Sequence, residues 1–180
     1  MGTVKKVLSK GNIWRKYLLM IFVCTGTQVY QFDRLLKEVD RLVEEGIIKD
    51  KVFAQTGAST YIPKNYEFKP FLSFDEFKEY QDKASLVITH GGTGALVSAS
   101  KLGKNIVAVP RLVKYGEHTD DHQLQIIDVM EKEGYIRAAY SMDELGKTIL
   151  DSIAHPIRKP YKRKSLIIPL IVDYINKNCL

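Results

Sequence analysis

SLVITHGGTGALVSASKL, residues 85–102, is the stretch that decides the fold. Its first five residues, Ser85 to Thr89, are mostly apolar and unbroken by charge, which is typical of a buried strand in a parallel sheet. The glycines that follow His90 predict a tight turn, and residues 93–102 have the composition of a helix. A buried strand that passes through a glycine turn directly into a helix predicts an α/β fold.

The same order of strand, polar turn and helix recurs on both sides of this stretch. Further strands are predicted at 18–25, 51–56, 66–72, 105–109 and 135–139, and further helices at 32–46, 73–80, 120–133 and from 141 onward. Such alternation predicts a Rossmann-like parallel sheet with helices on both faces. Ligands bind these sheets at the carboxyl ends of the strands.

Length and composition predict one domain with short tails. The 180 residues suit a single core, which we place at 18–155, between a basic arm at 1–17, native or added by cloning, and a basic and apolar tail at 156–180. The tail is expected to pack on the domain or to contact a partner or an anionic membrane surface. Two cysteines support no disulfide framework, and no apolar run approaches the roughly 20 residues of a membrane span, so we expect a cytoplasmic chain.

The charge balance is basic, with 27 Lys and Arg against 21 Asp and Glu and a net charge of +6. This permits attraction to phosphate groups without identifying whose phosphates they are. The basic tails lack interleaved aromatic residues and any known motif, so nucleic acid is not an expected partner.

Three polar, glycine-bearing turns follow predicted strands, at 26–28, 56–59 and 90–94. In a parallel sheet all three open at one edge. The third turn offers backbone amides and the N-terminus of a helix to an anion, with His90 as a further donor and Thr93 as a hydroxyl. A tight structural turn with His90 in the core is the alternative, and this loop alone leaves both interpretations open.

A second polar cluster, YGEHTDDHQ, occupies residues 115–123. His118 and His122 stand four residues apart, as zinc ligands on a helix do, but no acidic residue completes the metalloprotease pattern. Asp120 and Asp121 are also suited to capping the following helix. Recognition of sugar hydroxyls by carboxylates and carboxamides is the third interpretation.

Two common nucleotide-binding classes are not supported. The first predicted turn, Gly26-Thr27-Gln28, lacks the G-x-G-x-x-G spacing of nicotinamide dinucleotide sites, and the second predicted strand ends without an acidic residue. The complete phosphate-binding-loop motif, Gly-x-x-x-x-Gly-Lys-Ser/Thr, is absent as well.

Four elements in one order carry a family resemblance: strand-Gly-Thr-Gln, strand-Gln-Thr-Gly, strand-His-Gly-Gly-Thr-Gly and Pro-Arg-x-x-Lys-Tyr-Gly-Glu-His-x-Asp-Asp-His-Gln. With them the chain resembles the C-terminal domain of glycosyltransferase family 28, over about residues 18–150. More narrowly, it is similar to the soluble donor-binding subunit of split bacterial capsule and exopolysaccharide transferases, and to the eukaryotic soluble subunit of the dolichol-linked GlcNAc transferase. The resemblance implies the C-terminal half of a GT-B glycosyltransferase.

The function implied by this resemblance is transfer of a sugar from UDP-galactose or UDP-GlcNAc to a lipid-linked acceptor. The acceptor, and with it the catalytic base, would be held by a membrane-associated partner subunit, which would bring this chain to the inner face of the plasma membrane. We expect no metal and no cofactor, the UDP-sugar being the substrate. A non-catalytic nucleotide-sugar-binding or regulatory module is the alternative.

The resemblance also implies a set of donor-binding residues. The glycine loop would hold the diphosphate, and Asp121 and Gln123 would be the main sugar contacts. Ser98 departs from the family, because related transferases usually place a glutamate eight residues after the loop histidine to bind the ribose. The implied donor site comprises Gly26, Thr27, His90, Gly91, Gly92, Thr93, Gly94, Ser98, Glu117, His118, Asp121, His122 and Gln123.

Overall fold

The computed structural model describes residues 20–161, apart from the side chain of His122. The predicted arm at 1–17 and the tail beyond residue 161 lie outside the described residues. Six strands are present: β1 (Met20–Cys24), β2 (Lys51–Gln55), β3 (Glu67–Lys69), β4 (Leu86–Thr89), β5 (Asn105–Ala108) and β6 (Arg137–Ala138). The helices are α1 (Asp33–Glu44), α2 (Phe74–Lys83), α3 (Thr93–Lys101), α4 (His122–Lys132) and α5 (Met142–Ala154), with a 3₁₀ turn at Val113–Tyr115.

The strands form one parallel sheet in the order β3-β2-β1-β4-β5-β6. Phe22 at the centre of β1 pairs with Phe53 on one side and Val87 on the other. The predicted fold class is confirmed. Because the strand order changes direction between β1 and β4, their carboxyl ends border a crevice, the position where such sheets bind ligands.

Alternate side chains of β1 enter two separate cores, as the two-residue period of a strand requires. Ile21 and Val23 pack against α1 and α5, in one cluster with Leu35, Val39, Leu145 and Ile149. Phe22 and Cys24 pack against α2, α3 and α4, in a second cluster with Phe77, Tyr80, Leu96, Ile127 and Met130. Helices thus cover both faces of the sheet, as predicted.

Several predicted elements are shorter in the structure. Strand β3 ends before Pro70, which has no N–H for the ladder. Helix α4 begins at His122 rather than Asp120, because the Asp121 carboxylate accepts from the backbone N–H of Val113 and does not cap its own helix. Strand β6 has two residues instead of the predicted five.

Residues beyond 155 also belong to the packed body. The N–H of Ile157 donates to Asn105 Oδ1 at 3.1 Å, and the N–H of Tyr161 donates to the carbonyl of Ser100 at 2.9 Å. The described chain therefore passes the start of β5 and the carboxyl end of α3 before it reaches residue 161.

Candidate functional site

A cleft of about 600 Å³ opens at the carboxyl edge of the sheet, where β1 and β4 separate. It lies between the glycine turns that follow these two strands and the segment that leads into α2. Of the implied donor-binding residues, Gly26, Thr27, His90, Gly91, Gly92, Thr93, Gly94, Ser98, His118 and Gln123 line it.

The loop after β4 presents a free helix end to this cleft. The first hydrogen bond of α3 runs from Leu96 N to Gly92 O at 3.0 Å, so the amides of residues 93–95 precede the helical ladder. These N–H groups and the helix dipole favour an anion at this position. Gly91 has φ +83°, and a Cβ there would lie 2.4 Å from Ile127 Cδ1, so the turn requires glycine.

The His90 ring is enclosed by two of the glycines. A Cβ on Gly92 would lie 2.3 Å from its Nε2, and one on Gly26 would lie 2.8 Å away. On the other side of the ring, Nδ1 is 3.3 Å from the carbonyl oxygen of Cys24. Since a carbonyl only accepts, Nδ1 carries the proton in this contact.

The protonation state of His90 changes the role that the sequence suggests for it. Burial, and after it the charge of Arg111, lowers the pKa of His90 to about 4. At neutral pH the ring is therefore uncharged, and with the proton on Nδ1 its Nε2 is an acceptor. His90 donates to an anion from Nε2 only after it takes up a second proton, so the backbone amides of the loop are the principal donors.

Gln55, the last residue of β2, joins two walls of the cleft, although its role was not predicted. Its Nε2 donates to Gly26 O at 3.3 Å, and its Oε1 accepts from Leu72 N at 3.2 Å. The sequence signal for this role is a glutamine at the end of a mostly apolar strand. The second predicted turn, at 56–59, lies behind the first: a Cβ on Gly57 would lie 2.6 Å from Gly26 O, so Gly57 supports the first turn from outside the cleft.

An apolar wall faces the glycine loop, and it too was not predicted. Leu72, Phe74 and Phe77 line the cleft on this side, and Phe77 is held in place by Phe22 at 5.3 Å between ring centroids. Phe74 is 82% exposed, which is unusual for a large aromatic side chain. The sequence FLSFDEF shows the aromatic residues, but its pattern there predicts only a capped helix.

Ser98 lines the cleft and is hydrogen-bonded to α2. Its hydroxyl donates to Gln81 Oε1 at 2.6 Å, and Gln81 is fully buried and donates to the carbonyl of Ala95 at 3.4 Å. Where related transferases carry a carboxylate, this chain has a neutral pair that joins two helices.

The predicted residues of the 115–123 cluster separate into two groups. His118 and Gln123 line the cleft, and Gln123 Oε1 accepts from Arg111 N at 3.2 Å, so its amide nitrogen is the end that can donate to a ligand. Glu117 and Asp121 are not among the lining residues. Glu117 is buried, forms an ion pair with Arg34 at 2.7 Å and accepts from Leu112 N at 3.0 Å, so it holds the loop together.

Residues 20–161 contain no group of three or more His, Cys, Asp or Glu side chains placed to hold a metal ion. In the same residues no helix combines the length and the apolar character of a membrane span.

Comparisons with solved structures agree with this fold. A glycotransferase of kitacinnamycin superposes with a TM-score of 0.61 at 16% identity, over 77% of this chain and 35% of that one. MurG from Acinetobacter baumannii gives 0.59 at 16% identity, over 90% of this chain and 50% of that one. The solution structure of ALG13 gives 0.58 at 18% identity, over 91% of this chain and 99% of that one.

Sequence comparison identifies the family. The UDP-N-acetylglucosamine transferase subunit ALG13 of Homo sapiens is 30% identical over 125 residues, which are 64% of this chain and 10% of the human protein, and the Mus musculus protein is 27% identical over 124 residues. The chain thus spans about a tenth of the length of these curated relatives. The profile of the glycosyltransferase family 28 C-terminal domain matches residues 20–168. The chain therefore belongs to the glycosyltransferase family 28 C-terminal domains, and its sheet and helices are those of the C-terminal half of a GT-B glycosyltransferase.

Proposed function

We propose that this chain binds a UDP-sugar in the cleft and, with a membrane-associated partner subunit, transfers the sugar to a lipid-linked acceptor. The observation that carries the proposal is that one cleft combines an anion-binding end with an apolar wall. The free amides at the start of α3 favour an anion, and the wall of Leu72, Phe74 and Phe77 offers an apolar surface to a planar ring. A nucleoside diphosphate has both parts, joined by a ribose.

The geometry suggests one orientation of the donor. The diphosphate would lie against the amides of residues 92–95, and the uracil would lie against the apolar wall. The sugar would then extend toward His118 and the amide nitrogen of Gln123. Ser98 would face the ribose with a neutral hydroxyl, a weaker partner than a carboxylate.

The proposed reaction is an inverting displacement at the anomeric carbon. The acceptor hydroxyl attacks this carbon, the bond to the β-phosphate oxygen breaks with its electron pair leaving on UDP, and the hydroxyl proton passes to a general base. The amides at the start of α3 stabilise the negative charge that grows on UDP, in place of a metal ion. No carboxylate is among the described residues that line the cleft, and in this proposal the general base is on the partner subunit.

Exposed apolar side chains support a partner at the same edge. Six of them lie in the connections that follow strands or begin the next helix: Val29, Ile62, Phe71, Val113 and Tyr115 in connections, and Phe74 at the start of α2. Apolar groups concentrated around a cleft mark a binding surface more often than a free one. The ALG13 relatives are named as subunits of a transferase, which agrees with such a partner.

The donor sugar is proposed as GlcNAc or galactose. The ALG13 relatives are named as UDP-N-acetylglucosamine transferase subunits, which favours GlcNAc. The resemblance to capsule and exopolysaccharide subunits favours galactose and a place at the inner face of the plasma membrane.

The test is a binding and transfer assay with the full chain and its co-purifying membrane partner. Calorimetry against a panel of UDP-sugars should show binding of one donor, and radiolabelled sugar from that donor should appear on lipid. Absence of UDP-sugar binding by the pair would contradict the proposal.

A second function is a nucleotide-sugar-binding module without turnover. The hydrogen bond between Ser98 and Gln81 favours it, because it occupies the position where related transferases hold the ribose with a carboxylate. Donor binding without transfer by the reconstituted pair would support this second function. Transfer that is lost in His90→Ala would exclude it.

A further inference from the structure

Arg111 begins the connection between β5 and α4, and its side chain is 1% exposed. A guanidinium stays protonated in proteins, so the interior holds a full positive charge here. Its Nη2 donates to the carbonyl oxygen of Thr25 and, at 3.0 Å, to that of Tyr30. These carbonyls flank the loop of residues 26–29, so one nitrogen holds both ends of the loop that lines the cleft.

The charge of Arg111 is incompletely balanced. Its Nε and Nη1 are buried and have no hydrogen-bond acceptor among residues 20–161. Glu117 is the carboxylate that acts on it, but Glu117 is shared with Arg34 at 2.7 Å. Two guanidinium groups against one carboxylate leave an excess positive charge, which is costly in the interior unless an anion approaches.

This charge lies directly behind one wall of the cleft. The carbonyl that it holds belongs to Thr25, which lies between two residues that line the cleft, Cys24 and Gly26. The field of Arg111 also reaches His90. Burial is the largest cause of the lowered pKa of that histidine, and the charge of Arg111 is the second. A charge that is screened by protein instead of water acts more strongly on its surroundings.

We propose that Arg111 is a positioning residue of the donor site: it fixes the loop of residues 26–29 and supplies positive potential through the wall to the donor's diphosphate. Arg111 does not touch the ligand. The inference deepens the proposed function and rests on it.

The test compares Arg111→Gln with Arg111→Lys in the full chain, titrated with UDP and with uridine. Since uridine lacks the diphosphate, loss of the charge should weaken UDP by about tenfold or more and leave uridine within twofold. The lysine variant keeps the charge and should retain most of the preference for UDP over uridine. The pKa of His90, followed by NMR, should rise in the glutamine variant and stay low in the lysine variant.

Glu117→Gln tests the same idea in the opposite direction and does not depend on the folding of Arg111→Gln. It removes the balancing charge, so the ratio of UDP to uridine affinity should rise. Equal weakening of UDP and uridine in Arg111→Gln and Glu117→Gln would show a role in folding alone and overturn the inference. If the wild-type chain binds neither ligand with its partner present, the proposed function fails; if it binds UDP but no variant changes the ratio, only the inference fails.

Discussion

At the scale of single residues, the contact between Gly92 and the His90 ring leads to a sharp prediction. Gly92→Ala places a methyl group 2.3 Å from His90 Nε2, so the ring or the loop must move. We expect a loss of about 1–3 kcal/mol in the free energy of unfolding, as for overpacked sites. Chemical denaturation measures it.

A matched control lies two residues along the same loop. A Cβ on Gly94 meets nothing within 4 Å, so Gly94→Ala should leave stability unchanged or raise it by up to about 1 kcal/mol. In a His90→Ala background most of the cost of Gly92→Ala should disappear, because the clashing ring is gone. A cost that persists in that background would show that backbone strain, and not the ring, makes alanine unfavourable.

His90 also predicts a pH dependence of stability. Its pKa is lowered to about 4 in the folded chain, against 6.5 for a free histidine. Between these values the unfolded chain binds more protons, so acid favours unfolding. As the pH falls from 6.5 to 4, the titration of His90 should lower the free energy of unfolding by about 3 kcal/mol. Well above pH 6.5 it should have no effect.

Urea unfolding of the wild type and His90→Gln across this pH range separates this contribution from those of the carboxylates. The variant should lose less stability in acid than the wild type. His155→Gln, at a surface histidine, controls for the removal of any histidine. Parallel pH profiles for the wild type and His90→Gln would contradict the assignment.

Residue roles were predictable where the chemistry is local and not where it depends on distant partners. The glycine turn at 90–94 was predictable, because a turn between a buried strand and a helix is a local feature, and in the structure it lines the cleft. Arg111 and Gln55 were not predicted, since their partners lie 86 and 29 residues away in sequence. Glu117 belongs with them, because its ion pair with Arg34 spans 83 residues.

At the scale of elements, Asp40 of α1 secures the connection between β2 and β3. It is 2% exposed, and its carboxylate accepts from Tyr61 Oη at 2.6 Å and from the N–H groups of Lys64 and Asn65 at 2.9 and 2.8 Å. Asp40→Asn replaces one accepting oxygen with an NH₂ group that faces donors. We expect a loss of about 2 kcal/mol in the free energy of unfolding.

Glu38→Gln is the control on the same helix. Glu38 forms an ion pair with Arg41, a half-exposed side chain, and such surface pairs contribute at most about 1 kcal/mol. Thermal or urea unfolding of both variants decides the comparison. Equal losses would mean that the connection after β2 does not depend on Asp40.

The elements themselves were largely predictable because their patterns are regular. The capped start of α2 was predicted from Ser73 and Glu76, and both hydrogen bonds of the capping box are present, at 3.2 and 2.9 Å. The start of α4 was not, since the Asp121 carboxylate accepts from Val113 N, eight residues earlier in the same connection, instead of capping its own helix. Local pattern does not show which of two available N–H groups a carboxylate accepts from.

At the scale of the whole molecule, the carboxyl edge of the sheet combines the cleft with exposed apolar side chains. Val29 is 84% exposed and ends the loop of residues 26–29, but unlike Gly26, Thr27 and Gln28 it does not line the cleft. If the partner subunit covers this edge, Val29→Asp places a charge in the interface, where desolvation makes it costly. Affinity for the partner should then fall by at least about tenfold.

Leu150→Asp is the matched control, because Leu150 is also exposed but lies away from the cleft. It belongs to α5, which packs with α1 on one face of the sheet. Affinity for the partner, measured by surface plasmon resonance with the purified membrane subunit, should fall for Val29→Asp and stay at the wild-type value for Leu150→Asp. UDP binding by the isolated chain should remain in both variants, since neither residue lines the cleft. Weaker binding of the partner by Leu150→Asp alone would instead place the interface on the face of the sheet that α1 and α5 cover. The partner would then not adjoin the donor cleft, and the prediction would be wrong.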